Sequence, residues 1–197
     1  MSDRTATDAH QLREHVRAEV GRDEPLRSCP ALTCNSGATS AHLHLAVMTG
    51  PYLELVLSGD KTIESRFHRV RQAPLFTAAA GDIVVFKQSG GPVSALAVLS
   101  AVQFLDVEQT PLGEIRRRFQ CDLAATSDEF WAARTRARWV SLLTLSSVRE
   151  LAPLRLHKRD RRAWVRYGTT CETCAYDSRH VQRPLPFDEN VRAPENE

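Results

Sequence analysis

The sequence predicts an α+β domain built on a small, partly open β-barrel with helices at its periphery. Three observations support this fold class. The middle of the chain contains about six or seven short apolar or alternating runs, which are typical of strands. Most of the connections between these runs are short. The runs do not alternate regularly with long helices, as they would in an open parallel sheet.

Apolar spacing and turn residues define the elements of the first half. Residues 42–47 alternate and predict a strand. Pro51 and Gly59 flank a short apolar segment, at the positions where they open and follow a helix. Residues 61–67 alternate again and predict a second strand. One face of that strand carries Ile63, Ser65 and Phe67, and the other carries Thr62, Glu64 and Arg66.

The second half begins with a hairpin and continues with helices and strands. A short strand at 83–86 and a longer one at 93–102 flank a polar, Gly-containing tip. Ser127 is the expected N-cap of a helix. The predicted helices are 111–119 and 128–136, and the remaining strands are 139–145, 148–156 and 163–167.

Charge and composition divide the chain into a central domain and two tails. Residues 1–40 carry a net charge of −1, residues 41–167 carry +6, and residues 168–197 carry −3. We therefore predict a flexible N-terminal tail over 1–40, a domain over 41–167 and a C-terminal tail over 168–197. A basic centre between acidic ends favours a polyanionic partner.

The sequence also predicts where the protein resides. No run of 18 apolar residues predicts a membrane span, and the polar N-terminus lacks the apolar core of a secretory signal. Five cysteines without such a signal indicate reduced thiols, and so a cytoplasmic protein.

No cofactor is predicted, and the metal candidates are confined to cysteines and two histidines. Cys171 and Cys174 have the spacing of half a zinc site, and Cys29 and Cys34 would complete it if the two tails met. Free thiols on tails are the simpler interpretation. His42 and His44 share a strand face and are chemically able to bind a metal, although histidines on a polar face need no metal.

One segment resembles a known family. Residues 52–66, Tyr-Leu-Glu-Leu-Val-Leu-Ser-Gly-Asp-Lys-Thr-Ile-Glu-Ser-Arg, are followed by Gly-Asp-Ile-Val-Val-Phe at 81–86. A short helix ending in Gly-x-Lys, a strand with Thr, Glu and Arg, and a Gly-Asp that opens the next strand resemble the ASCH domain family. The resemblance covers about residues 42–167. It implies a PUA-like β-barrel, a fold that typically binds RNA or modified bases.

The same resemblance implies a possible set of catalytic residues. One group of small ASCH proteins is similar to an amidohydrolase of acylated cytidine, in which a lysine at the position of Lys61 acts with a threonine. Here Glu64 replaces that threonine. Lys61, Thr62 and Glu64 are therefore the candidate catalytic residues, with Thr62 as the hydroxyl and Glu64 as a base. A Lys/Glu/Arg cluster also forms ordinary ion pairs.

Basic residues predict a nucleic-acid interface, because arginine and lysine neutralise phosphates. Gly90 and Gly91 would let backbone amides approach an anion, although a hairpin turn alone explains them. The candidate binding residues of the first half are Arg66, His68, Arg69, Arg71, Lys87, Gln88 and Ser89. Those of the second half are Lys158, Arg159, Arg161, Arg162 and Trp164, where Arg and Trp would stack on bases. A solvated, charged turn is the alternative for this second group.

Three functions remain open at the level of sequence. The first is a nucleic-acid-binding domain, for RNA more than DNA, with a modified nucleotide or base in a cleft with a basic rim. The second is a hydrolase of a linear amide on an N-acylated cytidine-type nucleoside. The third is a non-catalytic module that recruits a protein partner through its acidic tails.

Overall fold

Six strands form one mixed sheet. A computed structural model describes residues 3–22, 41–157 and 161–169. The helices are α1 (Asp3–Arg22), α2 (Tyr52–Ser58), α3 (Leu112–Phe119) and α4 (Asp128–Ala132). The strands are β1 (His42–Met48), β2 (Ile63–His68), β3 (Ile83–Gln88), β4 (Val93–Asp106), β5 (Trp139–Leu154) and β6 (Trp164–Thr169).

The strand order brings sequence-distant segments together. The order is β2-β5-β4-β3-β1-β6, and among these strands only β1 and β3 pair in parallel. The hairpin of β3 and β4 is present as predicted. The mixed sheet with its short helices confirms the predicted α+β class.

One side chain shows that the sheet curls toward a half-barrel. Arg66 lies in β2, at one end of the strand order. Its guanidinium donates to the carbonyl of Val47 in β1 at 3.1 Å and to that of Ala163, just before β6, at 3.3 Å. The opposite ends of the sheet are therefore close enough for one arginine to span them.

The two faces of the sheet have different neighbours. β2 pairs with β5 so that Ile63 lies opposite Thr144 and Glu64 opposite Leu143. The face that carries Ile63 packs against Ile115 of α3 and Trp131 of α4. The face that carries Glu64 looks into the half-barrel, which is filled by an apolar cluster that includes Leu143, Phe86 and Trp164.

Part of the segment predicted as an N-terminal tail is a packed helix. Four apolar residues of α1 are buried against strands of the sheet: Ala9, Leu12, Val16 and Val20. Their spacing of three or four residues places them on one helix face. This narrow stripe is stable because the sheet covers it, and residues 1–40 carry no local signal for that partner.

Three other elements differ clearly from their predicted limits, and one of them is β4, which ends at Asp106 where the sequence predicted residue 102. β5 runs through Ser147 as one strand, where the sequence predicted two, because Ser147 takes a positive φ of 49° and the ladder shifts register around it without ending. The helix predicted over 128–136 ends at Ala132. Its predicted N-cap is confirmed, since the Ser127 hydroxyl accepts from the Phe130 amide.

A buried hydrogen-bond relay ties β1, β6 and the start of β3 together. The Trp164 indole N–H donates to His44 Nδ1 at 3.1 Å, and His44 Nε2 lies 3.0 Å from Asp82 Oδ2. Because an indole nitrogen only donates, His44 must carry its proton on Nε2 and donate it to Asp82. Asp82 also accepts from the backbone amides of His42 and Ala79.

The relay makes the free energy of unfolding depend on pH. Burial by itself would raise the pKa of Asp82, but hydrogen bonds from His42 and His44 outweigh it and hold this pKa below its ordinary range. The carboxylate therefore stabilises the fold fully above pH about 4, the unfolded pKa, and the contribution is lost as the pH falls.

We expect Asp82→Asn to lower the free energy of unfolding by about 1–3 kcal/mol near neutral pH, because the amide nitrogen cannot accept from its buried donors. The difference in the free energy of unfolding between this variant and the unmodified protein should shrink as the pH falls below about 4. Urea denaturation over a pH series measures both effects. Asp60→Asn, at an exposed position, is the control. A deficit that is constant over the whole series would contradict this role of Asp82.

Candidate functional site

A buried ion cluster lies at β2, an edge strand of the sheet. The Glu64 carboxylate is its centre, with Oε2 3.4 Å from Lys61 Nζ and Oε1 2.8 Å from Arg66 Nε. The Lys61 and Glu64 side chains are about 95% buried, and that of Arg66 is 14% exposed. The Arg66 Nε–H does not align with Oε1, so this contact is an ion pair and not a hydrogen bond.

The turn after α2 places Lys61. Gly59 ends the helix in the left-handed region at a φ of 84°, and the Lys61 amide then donates back to the Leu55 carbonyl. The Lys61 ammonium donates to the carbonyls of Ile63 at 2.7 Å and Leu123 at 3.2 Å. This reversal turns the side chain inward, although the sequence predicted Lys61 within the strand.

Burial lowers the pKa of Lys61. Glu64 acts against this shift, and the nearby charges of Arg66 and Arg134 add to it. Lys61 is therefore a buried cation beside a carboxylate, which is an arrangement found more often at functional sites than elsewhere.

Arg134 is a member of the site that the sequence analysis missed. Its guanidinium lies 3.3 Å from the centre of the Phe130 ring and donates to the Phe130 carbonyl. Burial lowers the pKa of Arg134, while Tyr52 and Glu64 raise it. Three cations thus act on one carboxylate. Arg134 follows α4 and is 70 residues beyond Glu64, so no spacing could link the two.

Two polar side chains on the same face of the sheet have an atom without a partner. His68 Nε2 and Ser141 Oγ are buried and make no hydrogen bond within the part of the chain that the structure describes. Ser141 lies opposite Arg66 in the ladder, and His68 lies opposite Trp139. Burial and Arg66 lower the pKa of His68, which favours its neutral form. Buried polar atoms of this kind are typical of sites that bind a ligand or water.

The candidate catalytic residues are only partly brought together. Lys61 and Glu64 are in contact, but Thr62 is exposed and its hydroxyl donates to Asp122 at 3.2 Å. The arrangement pairs a lysine with a carboxylate and directs the hydroxyl to a different acceptor.

The polar side chains of Lys87 and Gln88 at the hairpin tip form hydrogen bonds with the protein's own backbone. Lys87 Nζ donates to the carbonyls of Gln88 and Gly91, and the Gln88 amide donates to the carbonyl of Gly50. Burial and the charge of Arg155 lower the pKa of Lys87. Ser89 is exposed, and its backbone amide donates to Met48. Lys87 and Gln88 thus stabilise the turn.

The other candidate residues have different environments. Arg69, Arg71, Arg161 and Arg162 are exposed, whereas Trp164 is 3% exposed and lies 5.4 Å from the Arg66 guanidinium. Trp164 is therefore covered by protein, and its surface for stacking is already in contact with Arg66. Lys158 and Arg159 lie outside the described residues, as do Cys29, Cys34, Cys171 and Cys174.

Both ring nitrogens of His44 are used by the relay, and the described residues contain no group of three or more metal-ligating side chains. No helix in the described ranges is long and apolar enough to cross a membrane.

Comparisons with known proteins return solved structures alone. No family model matches the sequence, and the search of curated proteins finds no match. ASCH from Zymomonas mobilis is similar over 58% of this chain and 73% of its own, with 18% identity and a TM-score of 0.46. A serine-to-alanine variant of the same protein has 16% identity, coverage of 60% and 78%, and a TM-score of 0.47.

A second kind of domain is also similar. The N-terminal domain of Staphylothermus marinus McrB has 11% identity, coverage of 60% of this chain and 78% of its own, and a TM-score of 0.37. ASCH structures are thus among those to which this chain is structurally similar, as the sequence predicted.

Glu64→Gln should lower the free energy of unfolding by about 3–5 kcal/mol, because it leaves Lys61 and Arg66 buried without their counter-charge. Glu114→Gln is the matched control, since it breaks an exposed pair with Arg118 and should cost less than about 1 kcal/mol. Chemical denaturation of both variants measures the difference. Equal losses would show that Glu64 does not neutralise a buried cluster.

Proposed function

We propose that this protein binds single-stranded nucleic acid, RNA in preference to DNA, at the edge of β2. The observation that supports this most directly is the excess of positive charge around Glu64. The Glu64 carboxylate is in contact with Lys61 and Arg66, and the charge of Arg134 adds a third cation near it. A largely buried site with surplus cations would attract a phosphate, which would complete its charge balance.

Exposed arginines extend this site in the proposal. Arg69 follows β2 directly, and Arg161 precedes by two residues the carbonyl that Arg66 contacts. Exposed cations next to a buried basic cluster would hold successive phosphates and give binding that weakens with salt. Lys87 and Gln88 would support the rim by stabilising the hairpin.

Glu64 acts as a positioning residue in this proposal. In the structure, each of its carboxylate oxygens faces a cation. It would therefore hold Lys61 and Arg66 in place, and those two cations would contact the ligand.

We expect Arg69→Gln and Arg161→Gln each to reduce the magnitude of the salt slope of oligonucleotide binding by about 0.7, the value for one lost phosphate contact on a single strand. Fluorescence anisotropy with labelled oligouridylate at several salt concentrations measures the slope. Arg117→Gln is the control, because Arg117 is exposed on α3, which packs on the other face of the sheet.

Unchanged slopes in both rim variants would contradict the proposed contacts. The absence of oligonucleotide binding by the unmodified protein even at low salt would refute the function itself. That second result would favour the protein-interaction module.

Hydrolysis of an N-acylated nucleoside is the second candidate. The lowered pKa of buried Lys61, 3.4 Å from the Glu64 carboxylate, favours it. The hydroxyl of Thr62 is hydrogen-bonded to Asp122, so Lys61 and Glu64 would have to activate a water molecule in its place. The chemistry would be attack on the acyl carbonyl and loss of the nucleoside amine.

If this candidate is correct, Lys61→Met should abolish turnover of N4-acetylcytidine while the protein stays folded. A panel of modified and unmodified nucleosides, scored both for thermal shift and for product, tests this. Product from the unmodified protein that Lys61→Met abolishes would support hydrolysis. A thermal shift without product would support binding alone, and turnover that persists in the variant would exclude Lys61 as a catalytic residue.

A further inference from the structure

A partly exposed cluster of three aromatic rings and one arginine lies at the start of β5. Phe76 lies edge-on to Phe104 at 5.1 Å and to Trp139 at 6.0 Å between ring centres. The Arg71 guanidinium lies 4.6 Å from the centre of the Trp139 ring and 5.5 Å from that of Phe76. We call these four residues the aromatic platform.

The platform is open to solvent and positively charged. Phe76 is 45% exposed, although it is a large apolar residue, and Arg71 is also exposed. Arg71 has no carboxylate partner in the described ranges of the chain. The neighbouring Arg138, which also contacts Trp139, is neutralised by Asp106 and Glu108. The uncompensated charge of the platform therefore belongs to Arg71.

The backbone at Phe76 is strained. Its φ is 56°, in the left-handed region that bulky side chains rarely adopt. An exposed phenylalanine held in this conformation gains little from burial, and strain of this kind is concentrated at functional sites.

A buried donor without an acceptor lies beside the platform. His68 is opposite Trp139 in the β2–β5 ladder and is 6% exposed. Its Nδ1 lies 3.0 Å from the Gln72 amide nitrogen, which donates, so the proton of the neutral ring is on Nε2. That Nε2–H has no acceptor among the described residues.

We propose that the aromatic platform is a base-stacking subsite for an unpaired nucleotide, adjacent to the phosphate site around Glu64. The base would stack on the outer face of the Arg71 guanidinium and against Phe76. Planar guanidinium groups and aromatic rings are the two surfaces on which proteins stack unpaired bases. The His68 Nε2–H would donate to a carbonyl oxygen of the base or to a phosphate.

Charge and shape favour a nucleotide over an apolar protein segment. An uncompensated guanidinium within this surface would be costly to bury against apolar side chains. It is stabilised by the π-face of a base and by the phosphate that a nucleotide brings with it. This inference rests on the proposed nucleic-acid function and adds the position at which a base would be recognised.

The test compares ligands with and without bases. The probes are labelled eight-nucleotide oligomers of uridine, of thymidine and of abasic deoxyribose, and binding is measured by fluorescence anisotropy. We expect the base-containing oligomers to bind the full-length protein at least about fivefold more tightly than the abasic oligomer, which corresponds to the lower limit of stacking on one base. Tighter binding of uridine than of thymidine oligomers would show that the unpaired nucleotide comes from RNA. The reverse order would show that it comes from single-stranded DNA.

Two variants test whether the aromatic platform causes the difference in affinity between base-containing and abasic oligomers. Arg71→Lys keeps the charge but removes the planar surface. Phe76→Gly removes the ring and relieves the left-handed strain, so loss of fold is not expected to dominate. Both should reduce the affinity for base-containing oligomers to near that for the abasic oligomer, and leave abasic binding unchanged. Leu57→Ala, at another exposed apolar position, should change neither.

The failures of the two proposals are distinguishable. Equal affinity of the unmodified protein for abasic and base-containing oligomers would overturn the stacking subsite and leave the phosphate site intact. A base preference that persists in both variants would also overturn it. No binding of any oligomer would overturn the nucleic-acid function on which the subsite rests.

Discussion

Arg66 is the side chain that holds the two ends of the sheet together. It extends from β2, at one end of the strand order, to the carbonyls of Val47 and Ala163 at the other end. The same guanidinium contacts Glu64 and lies over the ring of Trp164. One residue therefore contributes both to closure of the half-barrel and to the ion cluster, and a planar, multidentate guanidinium is suited to both tasks.

The ion cluster is costly to bury, and this cost suggests a role beyond stability. Removing charges from water carries a penalty that a buried pair often does not recover. Here the balance is less favourable still, because Lys61 and Arg66 share a single carboxylate and the charge of Arg134 lies near them. A well-packed apolar cluster would stabilise this edge at least as well, and the surplus of positive charge is in keeping with the anionic ligand that we propose.

The Asp82–His44–Trp164 relay differs from the ion cluster because its hydrogen-bonding groups have their partners within the protein. His44 accepts from Trp164 and donates to Asp82, and Asp82 is satisfied by further backbone donors. Such a network stabilises one core arrangement and leaves nothing for a ligand. Trp164 belongs to the relay and also faces Arg66, so this ring connects the relay to the ion cluster.

By itself, the amino-acid sequence determined the local elements and part of the site. Apolar periodicity, Pro51, Gly59 and Ser127 were sufficient for α2, β1, the β3–β4 hairpin and the start of α4, because these signals act within a few residues. The family resemblance marked Lys61 and Glu64 as members of one candidate site, and an ion pair was the alternative interpretation of the same residues.

Only the tertiary structure decided which residues meet across long separations. It buried Trp164, directed Thr62 to Asp122, covered α1 with the sheet and placed Arg134 over the ring of Phe67. It also brought Phe76 to Trp139. These contacts depend on the curl of the sheet and on the order of its strands. Both arise from packing between segments far apart in the chain, which no local pattern encodes.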